Sequence, residues 1–401
     1  MPTLDWSGKC MPPHVVQPIH SFEQWGTGDT EKIQLHCGNN LRWLHHAQTK
    51  SKRFDLIYLD PPFCSQANYH QQINIDGQTH TIPGFTDVLS VDAYLQFIYE
   101  RLHPLKDLLS DTGSLFLHCD YQQSHTIRCL LDEVFGPKQF RNEIIWHYTG
   151  GGRAKKYFSR KHDSIFWYSK GTSWTFNTES IRIPYKATSG FAKGGITSKS
   201  GKKYLPNPKG TLPDDTWDIP MLNPLAKERT GYPTQKPMTL LERIVLACSN
   251  AGDSVLDPFM GSGTTGMAAI KHDRRFVGLD ANWNSVHLMR KRLWAQNASF
   301  SITHSTPLKS PISEIQLIYT NQPSTKEWTK EWTVAFTNQH TDSTPIQMVY
   351  SQYADGTWHQ TIDPIHSRLI RVVALNGEIS DFEIPSTNGP FKDGMILYST
   401  V

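Results

Sequence analysis

Apolar residues in this chain come in short runs whose spacing switches between two periods. K-I-Q-L-H-C from Lys32 is strand-like, and F-D-L-I-Y-L at 54–59, S-L-F-L-H-C at 114–119 and R-F-V-G-L at 275–279 are almost continuously apolar. That length and pattern predict strands buried on both faces. E-I-I-W-H-Y (143–148), S-I-F-W-Y-S (164–169) and S-V-L-D (254–257) bring the strand candidates to seven. Between them the spacing becomes helical. Leu95, Ile98, Leu102, Leu105 and Leu109 line one side of 91–109, and Leu240, Leu241, Ile244, Val245 and Cys248 do so after Pro237. Asn39 suits a helix N-cap, and further helices are predicted over 124–134, up to Lys271, and over 284–295. Strands alternating with helices predict an α/β fold, a doubly wound seven-stranded mixed sheet.

The pattern lapses in four places. Residues 1–31 are rich in Pro and polar residues and read as a poorly ordered arm. Residues 64–90 read as a long polar loop, and loops of that length are usually functional or mobile, so a lid is expected there. Residues 171–230 lose periodicity and gain Gly, Lys, Pro and single aromatics. After residue 300, Thr-rich sequence with β-type runs (I-Q-M-V-Y-S, L-I-R-V-V-A-L) predicts a small β-rich appendage of unknown role. The expected divisions are therefore 1–31, 32–170, 171–230, 231–300 and 301–401.

Charge changes this picture more than composition does. Residues 301–401 carry six Lys/Arg against ten Asp/Glu, so the basic excess lies upstream. Ser180 to Pro213 holds Arg182, Lys186, Lys193, Lys199, Lys202, Lys203 and Lys209 with no acid, and Ile144 to His162 holds Arg153, Lys155, Lys156, Arg160 and Lys161 with none. One such run is ordinarily a solvated loop; two in one half favour a polyanion-binding face. No apolar run reaches the ~18 residues of a membrane span, and the first residues lack a signal-peptide pattern, so a cytoplasmic, nucleoid-associated location is expected. Six scattered cysteines with no C-x-x-C pair suggest neither a disulfide framework nor a metal site.

Two strand ends carry the candidate chemistry. The strand at 54–59 runs into Asp60-Pro61-Pro62-Phe63. Two prolines stop the strand and stiffen the chain, so a carboxylate, a fixed carbonyl and an aromatic face stand together at the edge where open sheets bind ligands. A flat substrate with an amino group would suit them, although Asp-Pro alone is common turn chemistry. The strand at 254–257 runs into P-F-M-G-S-G-T-T-G, where Gly261, Gly263 and Gly266 spell G-x-G-x-x-G, with Asp280 closing the next strand. Such glycines indicate a nucleoside cofactor without saying which one. A nicotinamide dinucleotide is less apt than S-adenosylmethionine, because Asp257 sits poorly beside a pyrophosphate and well beside an ammonium group.

D-P-P-F at 60–63, G-Y-P-T-Q-K-P at 231–237 and L-D-P-F-M-G-S-G-T-T-G at 256–266, in this order, resemble the β class of amino-group DNA methyltransferases, N6-adenine or N4-cytosine. G-S-L-F-L-H-C-D (113–120) and F-S-R-K-H-D-S-I-F-W-Y-S-K (158–170) look like strands of the same family, and the resemblance covers about 32–298. It implies a circularly permuted Rossmann-like fold with a target-recognition insertion at 171–230. It implies methyl transfer from S-adenosylmethionine to a flipped-out base of double-stranded DNA, with no metal. Asp60, Pro61, Pro62 and Phe63 would be catalytic. Asp257, Phe259, Gly261, Ser262, Gly263, Asp280, Thr234, Lys236 and Asn39 would bind the cofactor, with Lys236 near its carboxylate. Arg153, Lys155, Lys156, Arg160, Lys186, Lys193, Lys199, Lys202 and Lys203 would bind DNA. Where many members carry Gly-Asp, this chain has Gly38-Asn39, which removes a charge from that end. Asp at the head of the motif favours adenine N6, with cytosine N4 the alternative and a catalytically silent DNA-binding module a third reading. A second copy of the chain and a cognate restriction endonuclease are partners the family allows.

Overall fold

The computed structural model describes residues 3–305, apart from positions 12, 13, 17, 76, 77, 151, 187 and 224, and beyond them the backbone of seven strand segments. In chain order the elements begin with β1 (His20–Trp25), β2 (Ile33–Cys37), α1 (Asn40–Thr49) and β3 (Phe54–Leu59). There follow β4 (Ala67–Ile75), β5 (Gln78–Asp87), α2 (Val91–Leu108), β6 (Leu109–Asp120), α3 (Ser124–Phe135), β7 (Phe140–His147) and β8 (His162–Ser169). Residues 171–230 contribute α4 (Gly190–Gly194), β9 (Ile196–Thr197), β10 (Lys203–Tyr204) and β11 (Thr216–Asp218). Then come α5 (Met238–Cys248), β12 (Ser254–Asp257), α6 (Thr264–Lys271), β13 (Arg275–Asp280), α7 (Trp283–Trp294) and β14 (Phe300–His304).

The chain divides into two compact units. The larger comprises residues 1–18, 32–73 and 81–292; the smaller comprises 19–31, 74–80 and 293–401. In the larger unit the strands lie in the order β2-β13-β12-β3-β6-β8-β7-β11. All seven predicted strands are present and adjacent. The sheet is mixed because β8 runs antiparallel to both β6 and β7, and β11, only three residues long, is an eighth strand added parallel to β7.

Connection handedness explains the layering. From β2 through β3 to β6 the chain advances one way along the sheet, whereas from β12 to β13 it goes the other way. Right-handed crossovers in opposite directions put their helices on opposite faces, so α1 and α2 cover one side and α6 the other. In keeping with this, α1 packs on α2 and α2 on α3, while α5 packs on α6. The reversal falls between β12 and β3, and the carboxyl ends at such a reversal form a crevice. Asp55, the one acid inside β3, has a structural explanation. Its carboxylate accepts from Ser254 N at 2.9 Å and Ser110 Oγ at 2.8 Å, joining the strand to both neighbouring segments.

Two expectations are corrected. The arm is packed at its start: Trp6 is buried edge-on against Tyr99, and the Lys9 ammonium bridges to Glu133 at 2.8 Å. An indole buries far more apolar surface than the surrounding polar residues suggest. The segment read as a polar loop instead forms β4 and β5, a two-stranded ribbon. Its Tyr, Ile, Thr and Phe residues favour strand, and its polarity marks a ribbon lying outside the main sheet.

Among the described residues, the smaller unit is all-β apart from the end of α7. β1 pairs antiparallel with β14, and the strands at 314–323, 328–335 and 395–398 form one sheet while those at 346–353, 358–359, 367–374 and 379–383 form another. Strand content after residue 300 thus agrees with the β-rich expectation.

Candidate active site

The crevice between β12 and β3 is a cavity of about 390 Å³. Of the residues singled out from the sequence, Asp60 to Phe63, Asn39, Thr234, Lys236, Asp257, Phe259, Gly261, Ser262 and Asp280 line it. Gly263 does not. It is the left-handed residue (φ 76°) that starts α6, and a Cβ there would collide with the Met289 thioether. Gly261, also left-handed (φ 51°), brings the turn so close to the Tyr232 ring that a Cβ would stand 3.2 Å from it. The glycine turn is thereby pressed against an aromatic wall.

On the glycine side the cavity is acidic. Asp257 and Asp280 are deep in it, and no ion pair to either is present among the described residues. Burial pushes the Asp257 carboxyl up to about 7; hydrogen bonds from Thr265 and Phe259 N oppose this, and the nearby Asp60 and Asp280 charges add to it. Burial likewise raises Asp280 to about 6, against hydrogen bonds from Asn282 N, Gly261 N and Ser285. Asn39 is engaged at the helix start, where its side chain accepts from Leu41 N at 3.0 Å. The neighbouring Asn40 does more: its Nδ2 donates to Pro258 O at 2.8 Å and its Oδ1 accepts from buried Arg101 at 2.8 Å. Asn40 and Arg101 thus fix the D-P-F turn from α1 and α2, a link that nothing in the sequence pattern announces.

On the proline side, Asp60 sits half-buried with the Lys236 ammonium 2.5 Å from its Oδ2. The same ammonium lies 5.3 Å from the centre of the Phe63 ring. Lys236, expected near a cofactor carboxylate, thus lies on the Asp60 carboxylate within the same cavity. The G-Y-P-T-Q-K-P segment bridges the two halves of the cavity, since Tyr232 stands against Gly261 and Lys236 against Asp60.

Behind Asp60 is a buried network. His118 is fully enclosed, with Nδ1 2.8 Å from the Tyr58 hydroxyl and 3.9 Å from Asp60 Oδ1, and Nε2 3.1 Å from Asp163 Oδ2. Burial alone would raise the Asp163 carboxyl, but the His118 hydrogen bond, the His118 and Lys236 charges and a hydrogen bond from Tyr148 hold it below its ordinary value. An ionised Asp163 only accepts, so His118 Nε2–H donates to it, while Nδ1 faces the Tyr58 hydroxyl, which burial keeps protonated. The ring faces Phe63 at 5.7 Å. His118 stands inside a predicted buried strand, and a histidine in such a run is the one signal that marks it.

Asp87, at the end of β5, is the second residue the sequence conceals. Its buried carboxylate accepts from Phe63 N (3.1 Å), Cys64 N (2.8 Å), Ser65 N (2.8 Å) and Ser65 Oγ (2.6 Å). Cys64 and Gln66 hold positive φ of 60° and 57°, unusual for residues with a Cβ, so this turn is strained and one carboxylate secures it. From the ribbon, Phe85 stacks on Tyr69 at 4.6 Å and faces Tyr232 at 6.5 Å, extending the aromatic wall that Tyr232 begins.

None of the nine predicted DNA-contacting cations lines the cavity, and all are exposed. Arg153, Lys155, Lys156 and Arg160 belong to the β7–β8 connection. Because β8 begins opposite the carboxyl end of β6 (Asp163 beside Asp120), this connection leaves the same sheet edge as Asp60. Lys186, Lys193, Lys199, Lys202 and Lys203 lie around α4 and the β9–β10 ribbon.

Comparison with known proteins places the sequence in a family. A DNA methylase family, N6/N4 type, matches residues 54–291. The chain is 30% identical over 261 residues to the type II methyltransferase M.HpaI of Haemophilus parainfluenzae, covering 65% of this chain and 74% of that one. It is 30% identical over 270 residues to the DNA adenine methyltransferase YhdJ of Escherichia coli (strain K12), covering 66% and 84% respectively. Among solved structures, the M1.HpyAVI–SAM complex aligns over 65% of this chain and 98% of its own, at 22% identity and a TM-score of 0.43.

Proposed function

The chain belongs to the N6/N4 DNA methylase family, and from that premise we propose that it methylates the N6 amino group of an adenine turned out of double-stranded DNA. The observation that carries this reading is the pairing at Asp60. A carboxylate on the cavity wall already grips an amine, that of Lys236, at 2.5 Å, with the Phe63 face beside it. An exocyclic amino group presents the same kind of donor in a flat ring that Phe63 can stack on.

S-adenosylmethionine fits the glycine side. Buried carboxylates with no paired cation among the described residues suit an ammonium-bearing nucleoside, and the left-handed glycines let the backbone come close to it. Asp257 would hold the ammonium end, Asp280 the ribose hydroxyls, and Phe259, Gly261 and Ser262 the walls. When bound, this cofactor supplies an electrophilic methyl group. The protein's own task is to make a poor nucleophile reactive. An aromatic amine's lone pair is delocalised into its ring; Asp60 and the Pro61 carbonyl, each accepting one N–H, draw the nitrogen toward tetrahedral geometry and localise that pair. Preorganised acceptors of this kind are the largest single contribution in many enzymes. The buried Tyr58–His118–Asp163 network keeps Asp60 and Phe63 from shifting.

Turning the base out of the duplex costs a few kcal/mol, and stacking on Phe63 returns about 1–3 kcal/mol. The exposed cations would add phosphate affinity that falls steeply with salt. The deciding assay uses purified protein, tritiated S-adenosylmethionine and duplex DNA, followed by nucleoside chromatography. N6-methyladenine is the expected product. N4-methylcytosine would keep the mechanism and change the base, and absence of label from DNA would refute the reading.

The acidic cavity predicts a pH dependence. An acid whose pKa is raised by burial favours its protonated form in the fold, so without ligand the chain loses stability as pH climbs from its ordinary carboxylate range toward about 7. A cationic ligand reverses that preference. Cofactor binding should therefore release protons near pH 6, and affinity should weaken as pH drops below about 7. Calorimetry in buffers of different ionisation enthalpy measures the release directly, and Asp257→Asn should remove most of it.

A further inference from the structure

The β7–β8 connection carries a feature that phosphate binding does not explain. Phe158 is 98% exposed and its neighbour Tyr157 61%, in the middle of a run with no acid. Scattered exposed apolar residues are ordinary on protein surfaces. This one is held out by a fastened loop. Tyr148 N donates to Lys161 O at 2.9 Å to close the loop base, Ala154 N donates to Ser159 Oγ at 2.9 Å across the tip, and the Lys161 ammonium donates to Gly150 O. The Arg160 guanidinium lies over the rings of Tyr121 (4.5 Å) and Tyr157 (4.7 Å) and donates to the Tyr121 hydroxyl at 2.7 Å. Tyr121 directly follows β6, the strand next to β3. Neighbouring strands are ~4.8 Å apart, so the loop root stands roughly 10 Å from the Asp60 strand along one edge.

We propose that this loop is a duplex-opening finger, with Phe158 entering the base stack as the target base leaves it. The proposal rests on the reading that the chain methylates a base taken out of double-stranded DNA. A base removed from the stack leaves an apolar gap with an unpaired partner. An aromatic ring fills such a gap, and apolar wedges between base steps are a general means of unstacking DNA. Arg153, Lys155 and Lys156 flank the tip, so phosphates on either side of the gap would be neutralised as the ring goes in. Occupant and surroundings match: an apolar tip for the stack, cations for the backbone.

The test uses the full chain, S-adenosylmethionine and two duplexes bearing the sequence mapped by methylation sequencing of DNA from expressing cells. In one duplex the target base is paired; in the other it faces an abasic position and is already open. Phe158→Ala should lower the single-turnover rate on the paired duplex by about 10- to 100-fold, with the open duplex restored to within about twofold of the unaltered protein. Phe158→Trp should stay near the unaltered protein on both. Lys155→Ala should instead weaken both duplexes alike and reduce the salt dependence of binding by ~1 charge. Equal loss on both duplexes for Phe158→Ala, or no loss on either, overturns the finger. A change of sedimentation from dimer to monomer in Phe158→Ala, with rates unchanged, would assign the ring to contact with a second copy and also overturn it. If the unaltered protein labels neither duplex, the parent reading fails, and not the finger alone.

Discussion

Asp60→Ala should abolish methyl transfer, lowering the single-turnover rate by at least ~10³-fold, while S-adenosylmethionine still binds within about fivefold of the unaltered protein. The separation is expected because Asp60 is on the proline side of the cavity, whereas Asp257 and Asp280, which would hold the cofactor, are on the glycine side. The substitution also leaves the Lys236 ammonium without its 2.5 Å partner in a half-buried position. Breaking one partner of such a pair destabilises by itself. A thermal melt and calorimetric titration of the cofactor therefore accompany the rate measurement. Asp60→Asn, which keeps one acceptor oxygen, separates hydrogen bonding from charge. Turnover retained in Asp60→Ala would remove Asp60 from the role given to it, whereas turnover retained only in Asp60→Asn would assign that role to hydrogen bonding without charge.

Asp87→Ala is expected to be the second most damaging change, although the residue touches no reacting group. Three backbone N–H groups and a hydroxyl converge on its carboxylate, and all lose their acceptor together. Buried donors left unsatisfied cost about 1–3 kcal/mol each, so a loss of roughly 3 kcal/mol or more in stability is expected. Release of the turn would also move Phe63 and the strained Cys64 and Gln66. Misplacement by about an ångström is enough for a ~10²-fold fall in rate. In the double variant with Asp60→Ala, the further fall should be smaller than Asp87→Ala causes alone, because part of the turn's contribution passes through Asp60 and part through Phe63. A fully additive loss would mean that Asp87 acts elsewhere.

The two residues differ in how visible they were beforehand. Asp60 was legible because two prolines follow an apolar run, which is a local pattern with a local cause. The seven strands and the glycine turn were legible for the same reason. Asp87 was not, since it lies 22 to 24 residues from its partners in a segment whose polarity read as loop. The Lys236–Asp60 pair spans 176 positions, and no periodicity reports on a contact of that range. β11 is too short for alternation to show, and its place beside β7 depends on a pairing made only in the folded chain. The basic runs were plain as composition; the sheet register then put one of them at the Asp60 edge.

Strand order has a consequence for how the chain is made. β3, which carries Asp60, lies in the middle of the sheet between β6 and β12, yet β12 is synthesised long after both. At ~5–20 residues per second, the roughly 200 residues between them take on the order of 10–40 s to emerge. Throughout that interval one edge of β3 has no partner and its apolar side chains lack half their cover. A nascent chain in that state is a template for pairing with another like it. Ribosome-bound chaperones, slow translation or low temperature should thus matter more for the yield of this protein than its finished fold would suggest.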